Sequence, residues 1–147
     1  MRGMTNHATD SSGIRVLSPS ECLDRLRSLS LGRLVVKRSE DMDIFPINYV
    51  VDEHGEIYFR TAEGTKFFSL NLNPEVLFEA DDVEEGRAWS VVVRGTATPL
   101  SGSAEIEYAD SLPLRPWVPT LKYNYVRITA GEISGRAFIL GEEPERY

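Results

Sequence analysis

The hydrophobic pattern near the start of the chain predicts one amphipathic helix. Residues 18–21 (SPSE) place a serine at the N-cap, a proline at the first helical position and a glutamate three residues after the cap, which together form a capping box. Gly32 follows as a helix-ending residue. The apolar residues that recur between these signals at helical spacing are Cys22, Leu23, Leu26 and Leu29. We expect this helix to cover one end or flank of the remaining structure.

Beyond Gly32 the apolar positions alternate with polar ones, as they do in half-buried strands. Pro46 predicts an edge position or a bulge, because proline cannot donate to a ladder. The predicted strands span residues 33–38, 44–51, 57–60, 76–80, 88–98, 123–129 and 133–140, with turns at 40–43, 52–55, 81–86 and 130–132, a short helix at 103–112 and a loop at 113–119. About six or seven strands at this spacing are typical of an antiparallel barrel.

The stretch from Gly55 to Lys66 (GEIYFRTAEGTK) joins a strand, a glycine turn and two cations. A strand that leads into a helix through such a turn leaves backbone N–H groups free at the helix start, where the helix dipole favours a phosphate. Arg60 and Lys66 would supply the counter-charges, and Thr61 and Thr65 would supply hydroxyl donors. The alternative is an ordinary strand-to-helix turn with a threonine N-cap and two solvated cations.

Length and charge restrict the possible functions. The 147 residues suffice for one domain with a single core, and 41% hydrophobic with 27% charged residues is typical of a globular protein. We expect residues 1–13 to be disordered, residues 14–140 to form the domain and residues 141–147 to form a tail. The net charge of -7 argues against nucleic-acid and anionic-membrane partners.

Cysteine and histidine usage excludes two kinds of site. Cys22 is the only cysteine, so no internal disulfide forms, and with His7 and His54 it makes no cluster with metal-ligand spacing. His54 lies in the predicted hairpin loop at 52–55. No stretch resembles a signal peptide or a membrane-spanning helix, so we expect a cytoplasmic protein.

Four segments in this order resemble the pyridoxamine 5'-phosphate oxidase-like family, the FMN-binding split barrels, and most closely its nitroimidazole-reductase-like branch. They are FPINYVVDEHGEIYFRTAEGTK, NPEVLFEADD, WSVVVRGTA and YVRITAGEISGR. The resemblance extends over residues 17–138. It implies a mainly β fold, a six-stranded antiparallel Greek-key split barrel with a few short α-helices, assembled as a homodimer that holds two FMN molecules at its interface.

The same resemblance implies positions for the cofactor contacts. It places the phosphate on Phe59, Arg60 and Thr61 at a strand end and on Thr65 and Lys66 at a helix start. The residues that it implies for the isoalloxazine ring and for the contact from the second subunit are Pro46, Ile47, Asn48, Tyr49, Trp89, Ser90 and Arg136. The alternatives are an ordinary edge strand at 44–49, a core aromatic at position 89 and a solvated cation at position 136.

The expected activity departs from that of true pyridoxamine phosphate oxidases. Those enzymes end in an arginine–histidine signature that holds the substrate phosphate, whereas this chain ends GEEPERY with no histidine after His54. Activity on pyridoxine phosphate is therefore not expected. Residues 64–66 (GTK) also lack the second cation that precedes the lysine in those oxidases, which leaves a deazaflavin open as the cofactor.

Three functions remain open at this point. The first is a flavin-dependent oxidoreductase that acts on a small molecule, and since a flavin supplies its own redox chemistry it requires no catalytic triad or acid–base pair. The second is a non-catalytic module that holds flavin, deazaflavin or haem for storage or sensing. The third is a barrel without a cofactor, in which Arg60 and Lys66 are ordinary surface charges.

Overall fold

The computed structural model describes residues 13–61, 73–114 and 124–141. Thr65, Lys66 and the helical turn expected there lie outside this part of the chain. The described elements are β1 (Ile14–Val16), α1 (Pro19–Arg27), β2 (Leu31–Arg38), β3 (Asp41–Asn48), β4 (Val50–Val51), β5 (Ile57–Thr61), β6 (Glu75–Glu84), β7 (Arg87–Pro99), α2 (Ser103–Asp110) and β8 (Asn124–Ile139).

The eight described strands form one antiparallel sheet that curls on itself. Their order is β3-β2-β6-β7-β8-β5-β4, and β1 pairs with the last residues of β8. Asn48 ends β3 and Val50 begins β4, so a single residue, Tyr49, connects the two strands at opposite ends of this order. The sheet therefore curls until its edges meet. This is the predicted mainly β split barrel, in which six strands have five or more residues and two short helices are described.

Alternation along the strands separates a buried inner face from an outer face. In β7, Val91 and Val93 are fully buried, whereas Val92 between them is partly exposed. The register continues the inner face across the sheet, since Val93 lies opposite Phe78 of β6. The largest fully buried side chains of the core are Phe59, Phe78, Leu26, Leu34, Ile57 and Ile128.

Helix α1 begins at the predicted capping box and packs on the inner face. The Ser18 side chain accepts a hydrogen bond from the Glu21 backbone N–H at 3.2 Å, and the Glu21 carboxylate accepts one from the Ser18 N–H at 2.9 Å. Cys22 and Leu26 are fully buried in the core. The helix can pack this close to β8 only because residue 135 is a glycine, since an added Cβ there would lie 2.6 Å from the Cys22 Sγ. The predicted helix start is confirmed.

Helix α2 packs on the outer side of β5 and β8. Tyr58 and Tyr125 from these strands form a second buried cluster with Ala109 from the helix. The Tyr108 hydroxyl donates to the buried Asp52 at 2.9 Å, and this hydrogen bond is the main reason that the pKa of Tyr108 rises to about 12. The predicted helix at 103–112 is confirmed, although it ends at residue 110. Neither described helix is long and apolar enough to cross a membrane.

Gly32 does not end the first helix, and two predicted turns are too long. Helix α1 ends at Arg27, and Gly32 lies in β2, where an added Cβ would be 2.5 Å from the Phe78 ring. Close packing, rather than helix termination, explains this glycine. Strand pairing shortens the turn predicted at 40–43 to residues 39 and 40. It also extends β6 through the acidic residues 81–84.

Two predicted strand divisions are also wrong. The segments predicted at 123–129 and 133–140 are joined in one continuous strand, β8 (Asn124–Ile139), because the pairing with β7 shifts register between Arg94 and Gly95 and absorbs the residues expected to form a turn. Conversely, the segment 44–51 divides at Tyr49 into β3 and β4. Pro46 lies in β3 at one end of the strand order, so its predicted edge position is confirmed.

Replacing Glu21 with glutamine should lower the free energy of unfolding by about 1 kcal/mol at neutral pH. The Ser18 backbone N–H and the Arg15 guanidinium, which is 2.9 Å away, lower the pKa of Glu21 from 4.5 to about 2. A depressed pKa adds stability that is complete above about 4.5 and is lost as the pH falls through about 2. Urea denaturation at a series of pH values should therefore show that the difference in unfolding free energy between wild type and Glu21→Gln becomes smaller over that range.

The control for this prediction is Glu85→Gln, which changes an exposed carboxylate in the β6–β7 turn. The Glu21 side chain is itself 34% exposed, so water screens much of the effect and only part of the pKa shift is expressed as stability. If Glu21→Gln changes the unfolding free energy by the same amount at neutral pH and at about pH 2, the charge of Glu21 does not stabilise the helix cap.

Candidate functional site

Outer-face side chains of the sheet line a groove, which we call the outer groove. It consists of two adjoining cavities of about 430 Å³ each, and Arg94 lines both. The first cavity lies over β2, β3 and β6, and the second lies over β7 and β8. The side chains that characterise the groove are Val35, Lys37, Met42, Leu77 and Thr96 in the first cavity and Ser90, Val92, Glu132, Ser134 and Arg136 in the second.

The outer groove carries exposed cations on a chain whose net charge is -7. Arg94 and Arg136 are exposed, and Lys37 is exposed at the other end of the groove. The Glu132 carboxylate lies 3.9 Å from the Arg94 Nε, and Glu75 lines the first cavity. Three cations and two carboxylates therefore line the groove. Glu79 and Asp81 lie opposite Val92 and Ser90 on the same face, so the groove offers cations to an anionic ligand without a large excess of positive charge around it.

Two of the predicted contacts, Ser90 and Arg136, come together in the second cavity. They lie directly opposite one another in the β7–β8 register, so their side chains share the outer face. Trp89, next to Ser90, points to the inner face, where it is 8% exposed and belongs to the core. The side chains of Trp89 and Ser90 therefore do not line the same cavity.

The strand that the resemblance implies for the isoalloxazine ring also alternates between the two faces. Pro46 is exposed on the outer face, and Asn48 is partly exposed. Ile47 and Tyr49 are only 4% and 3% exposed, and burial raises the pKa of the Tyr49 hydroxyl. The side chains of Ile47 and Tyr49 therefore belong to the core, and only Pro46 and Asn48 present side chains to the outside.

Of the residues that the resemblance implies for the phosphate, those that the structure describes lie at the end of β5. Phe59 is fully buried and Thr61 is 7% exposed, whereas Arg60 between them is partly exposed and lies opposite Tyr125 of β8. The Phe59 side chain is part of the core, so only its backbone remains available to a ligand. Thr65 and Lys66 lie outside the described residues, so the phosphate site stays a prediction.

The predicted phosphate and ring contacts of one chain lie far apart along β8. Arg60 lies opposite Tyr125, near the start of β8, and Arg136 lies eleven residues further along that strand. At about 3.3 Å per residue, this is roughly 36 Å of strand. This length is an upper limit on the distance between the two side chains, because the sheet curls and β8 carries a register shift.

Sequence reasoning missed a charge cluster on the outer face. Arg33 on β2 donates to Glu79 at 2.7 Å and to Asp81 at 2.6 Å, both on β6. Burial raises the pKa of Glu79, and a hydrogen bond from Glu79 lowers the pKa of Asp81, so Glu79 is the carboxyl that protonates first. The alternating acids of β6 were a visible signal, but their partner is 46 residues away. Arg94 was missed although it lies in the segment WSVVVRGTA, because an exposed strand arginine has no distinctive local pattern of its own.

The search for a metal site gives no candidate in the described part of the chain. No group of three or more histidine, cysteine, aspartate and glutamate side chains is placed there to hold an ion. Cys22 is buried, and burial raises the pKa of its thiol. His54 lies in the turn between β4 and β5, where it is exposed, and its Nε2 is 3.6 Å from the Glu53 carboxylate.

Comparison with known proteins adds relatives that share this fold. The sequence profile of the family described as pyridoxamine 5'-phosphate oxidase matches residues 18–137. A Corynebacterium glutamicum protein, described as a candidate pyridoxamine 5'-phosphate oxidase, is 56% identical, with a TM-score of 0.80 over 95% of this chain and 100% of that one. The FAD binding protein from Mycobacterium smegmatis is 43% identical, with a TM-score of 0.75 over 86% of this chain and 99% of that one.

A more distant structure concerns the predicted branch. A candidate 5-nitroimidazole antibiotic resistance protein from Bacteroides thetaiotaomicron is 13% identical, with a TM-score of 0.66 over 92% of this chain and 96% of that one, and this likeness concerns the fold alone. The segment matched by the family profile contains Arg60, Ser90, Arg94 and Arg136, and thus both parts of the candidate site. The family resemblance found in the sequence is confirmed. The chain belongs to the pyridoxamine 5'-phosphate oxidase family.

Proposed function

We propose that the protein is an FMN-binding flavoprotein, active as a homodimer and as an oxidoreductase on a small molecule. The observation that carries this proposal is the outer groove, where apolar side chains lie beside exposed cations. Family membership and the 43% identical FAD binding protein support a flavin as the ligand class.

The outer groove suits a flavin in both size and chemistry. Each of its cavities, at about 430 Å³, falls within the usual range of ligand sites. Leu77 and Val92 offer apolar surface to the faces of a ring and exclude water from it. Ser90 and Arg136, side by side at one end, donate hydrogen bonds to the polar edge of the ring. A bound flavin supplies the redox chemistry, so the role of these residues is to hold and orient it.

The proposed site needs two copies of the chain. Arg60 and Arg136 of one chain lie near opposite ends of the long strand β8, and this separation favours a flavin that is held between two chains. Met42 and Ile44 support this arrangement, since they are 71% and 63% exposed on the outer face of β3, beside the groove. Large apolar side chains that are exposed together mark an interaction surface. A second copy on this face would bring its Arg60 and Lys66 to the groove.

FAD is the second candidate ligand. The relative that favours it is the FAD binding protein from Mycobacterium smegmatis. FAD and FMN share the ring and the phosphate nearest to it, so the same residues would hold either. A deazaflavin has the same ring shape and stays a third candidate. Parallel titrations with FMN, FAD and a deazaflavin, followed by quenching of ligand fluorescence, would rank the three.

Replacing Ile44 with aspartate should convert the dimer to a monomer and weaken FMN binding by about tenfold or more. Ile44 is 63% exposed in the single chain, so the charge is tolerated by the fold but is buried without a partner in the dimer. Sedimentation velocity measures the first effect, and a fluorescence-quenching titration measures the second.

The matched control for the interface is Ile139→Asp, because Ile139 is 64% exposed but lines neither part of the outer groove. This variant should remain dimeric and bind FMN like the wild type. A wild-type protein that sediments as a monomer at micromolar concentration would contradict the dimer. Full FMN affinity in a monomeric Ile44→Asp variant would contradict a site shared between two chains.

Replacing Lys66 with alanine should weaken FMN binding about ten- to a hundredfold and leave riboflavin binding nearly unchanged. FMN differs from riboflavin by its phosphate, and charge-assisted hydrogen bonds to such a group contribute roughly 1.5 to 3 kcal/mol each. Arg60→Ala should act in the same direction and also cost some stability, because its stem packs along β5. Fluorescence-quenching titrations with both ligands measure these effects.

The control for the phosphate contacts is Arg38→Ala, which removes a partly exposed cation that lies 3.9 Å from the Asp43 carboxylate. It should change neither titration. If Lys66→Ala binds FMN and riboflavin like the wild type, the phosphate does not bind at residues 64–66 and the central stretch is an ordinary turn.

The pure protein should not oxidise pyridoxamine or pyridoxine phosphate at a useful rate. No histidine follows His54, so the arginine–histidine clamp of true oxidases is missing from this sequence. The measurement is formation of pyridoxal phosphate by the protein reconstituted with FMN, with a true oxidase assayed beside it. Product formation at a comparable rate would show that another part of the chain binds the substrate phosphate.

A further inference from the structure

We propose that the protein has a second ligand site, a cavity that binds a small aromatic anion with the chemistry of a nucleoside monophosphate. The cavity lies where α1 meets the ends of β7 and β8, and we call it the arginine cavity. Its volume is about 420 Å³, which is enough for a nucleotide. Among the described residues, three arginines line it, Arg15, Arg25 and Arg87, together with one carboxylate, Glu84.

The positive charge available to a ligand comes mainly from Arg25 and Arg87. Arg15 is already bound to the Glu21 carboxylate at 2.9 Å, so its charge is largely compensated. Glu84 lies opposite Arg87 in the β6–β7 register and offsets part of the remaining charge. Two guanidinium groups facing one carboxylate attract an anion, and guanidinium groups bind phosphate oxygens through paired hydrogen bonds.

Arg25 shows an unsatisfied hydrogen-bonding requirement at this place. Its Nε is buried and donates to no partner among the described residues. A buried polar atom without a partner costs free energy, so such atoms are rare unless a ligand or water completes them. An anion in the arginine cavity would accept this hydrogen bond. A bound anion that reached this Nε would thus add one hydrogen bond to the attraction from the two guanidinium groups.

The remaining wall of the arginine cavity is aromatic and apolar. Trp89 lies on the inner face with 8% of its surface exposed, and Phe138 is partly buried beside Ala137. Aromatic surface next to guanidinium groups suits a ligand that has a flat ring as well as a charge. Inorganic phosphate alone would use only the arginines, whereas a nucleotide would use both.

The arginine cavity lies at the start of β7, and the outer groove lies further along that strand. Ser90 lines the groove, and its neighbour Trp89 lines the cavity. Phe138 lines both. Only variants at side chains confined to one of the two, such as Arg25 and Arg87 in the cavity or Arg136 in the groove, are therefore controls for the other.

The test is a titration of the full chain with AMP, read through the fluorescence of Trp89. The chain has two tryptophans, so Trp117→Phe leaves Trp89 as the reporter. We expect saturable quenching by AMP below about 1 mM, competition by inorganic phosphate and binding by adenosine that is about tenfold weaker. Arg25→Gln and Arg87→Gln should each raise the AMP dissociation constant about tenfold.

Two matched controls distinguish this site from others. Arg38→Gln removes a cation that lines neither the arginine cavity nor the outer groove, and Arg136→Gln removes one from the outer groove; neither should change AMP binding. Absence of quenching by AMP, or quenching that is unchanged in both cavity variants, would overturn the proposal. Loss of AMP binding in Arg136→Gln but not in Arg87→Gln would also overturn it, because AMP would then bind in the groove.

Arg87→Gln keeps the test valid if Arg25→Gln does not fold. Arg87 is exposed at the start of β7, so its substitution should leave the circular dichroism spectrum and the melting temperature unchanged. Arg25→Lys adds a second check, since it keeps the charge but removes the buried Nε. It should bind AMP with intermediate affinity, and binding equal to that of the wild type would remove the argument from the unsatisfied atom.

Discussion

Closure of the sheet at Tyr49 is the constraint on which the rest of the structure depends. Its N–H donates to the Ser30 carbonyl oxygen at 3.0 Å, its hydroxyl donates to the Leu26 carbonyl oxygen at 2.5 Å, and its ring meets Phe78 edge-on at 4.8 Å. These contacts join the two edges of the sheet, the end of α1 and the core at one residue. Because the closed inner face excludes water, charged strand residues are confined to the outer face and the open ends, where the two proposed ligand sites lie.

The pairing of β7 with β8 then determines which residues each ligand meets. A step of one residue changes the face, so Trp89 and Ser90 belong to different cavities although they are neighbours. The register shift at Arg94 places this arginine where the two cavities of the outer groove adjoin. Gly95 permits the shift, since an added Cβ would be 2.5 Å from the Thr129 carbonyl oxygen. Functional positions on this strand pair are thus consequences of register.

Several sequence signals that depend on nearby residues predicted the structure correctly, although Gly32 did not, and features that depend on distant pairing were missed. The capping box and the edge position of Pro46 were predicted because each follows from local chemistry. The division of β8 was predicted wrongly because residues 130–132 resemble a turn until β7 pairs with them. Ser90 and Arg136 were identified through the family motif. Which strand residues face inward follows from register, so neither the burial of Tyr49 nor the Arg33 cluster was visible in the sequence.

A flavin shared between two chains would make cofactor binding and dimerisation a single equilibrium. Ligand that binds only the dimer stabilises it by mass action, so FMN would tighten the dimer and dilution would weaken FMN binding. Two chains of charge -7 repel one another, and the phosphate adds further negative charge. The cations Lys37, Arg94 and Arg136 lie in the groove where these repulsions would meet. The same local charge would therefore serve both the cofactor and the approach of the second chain.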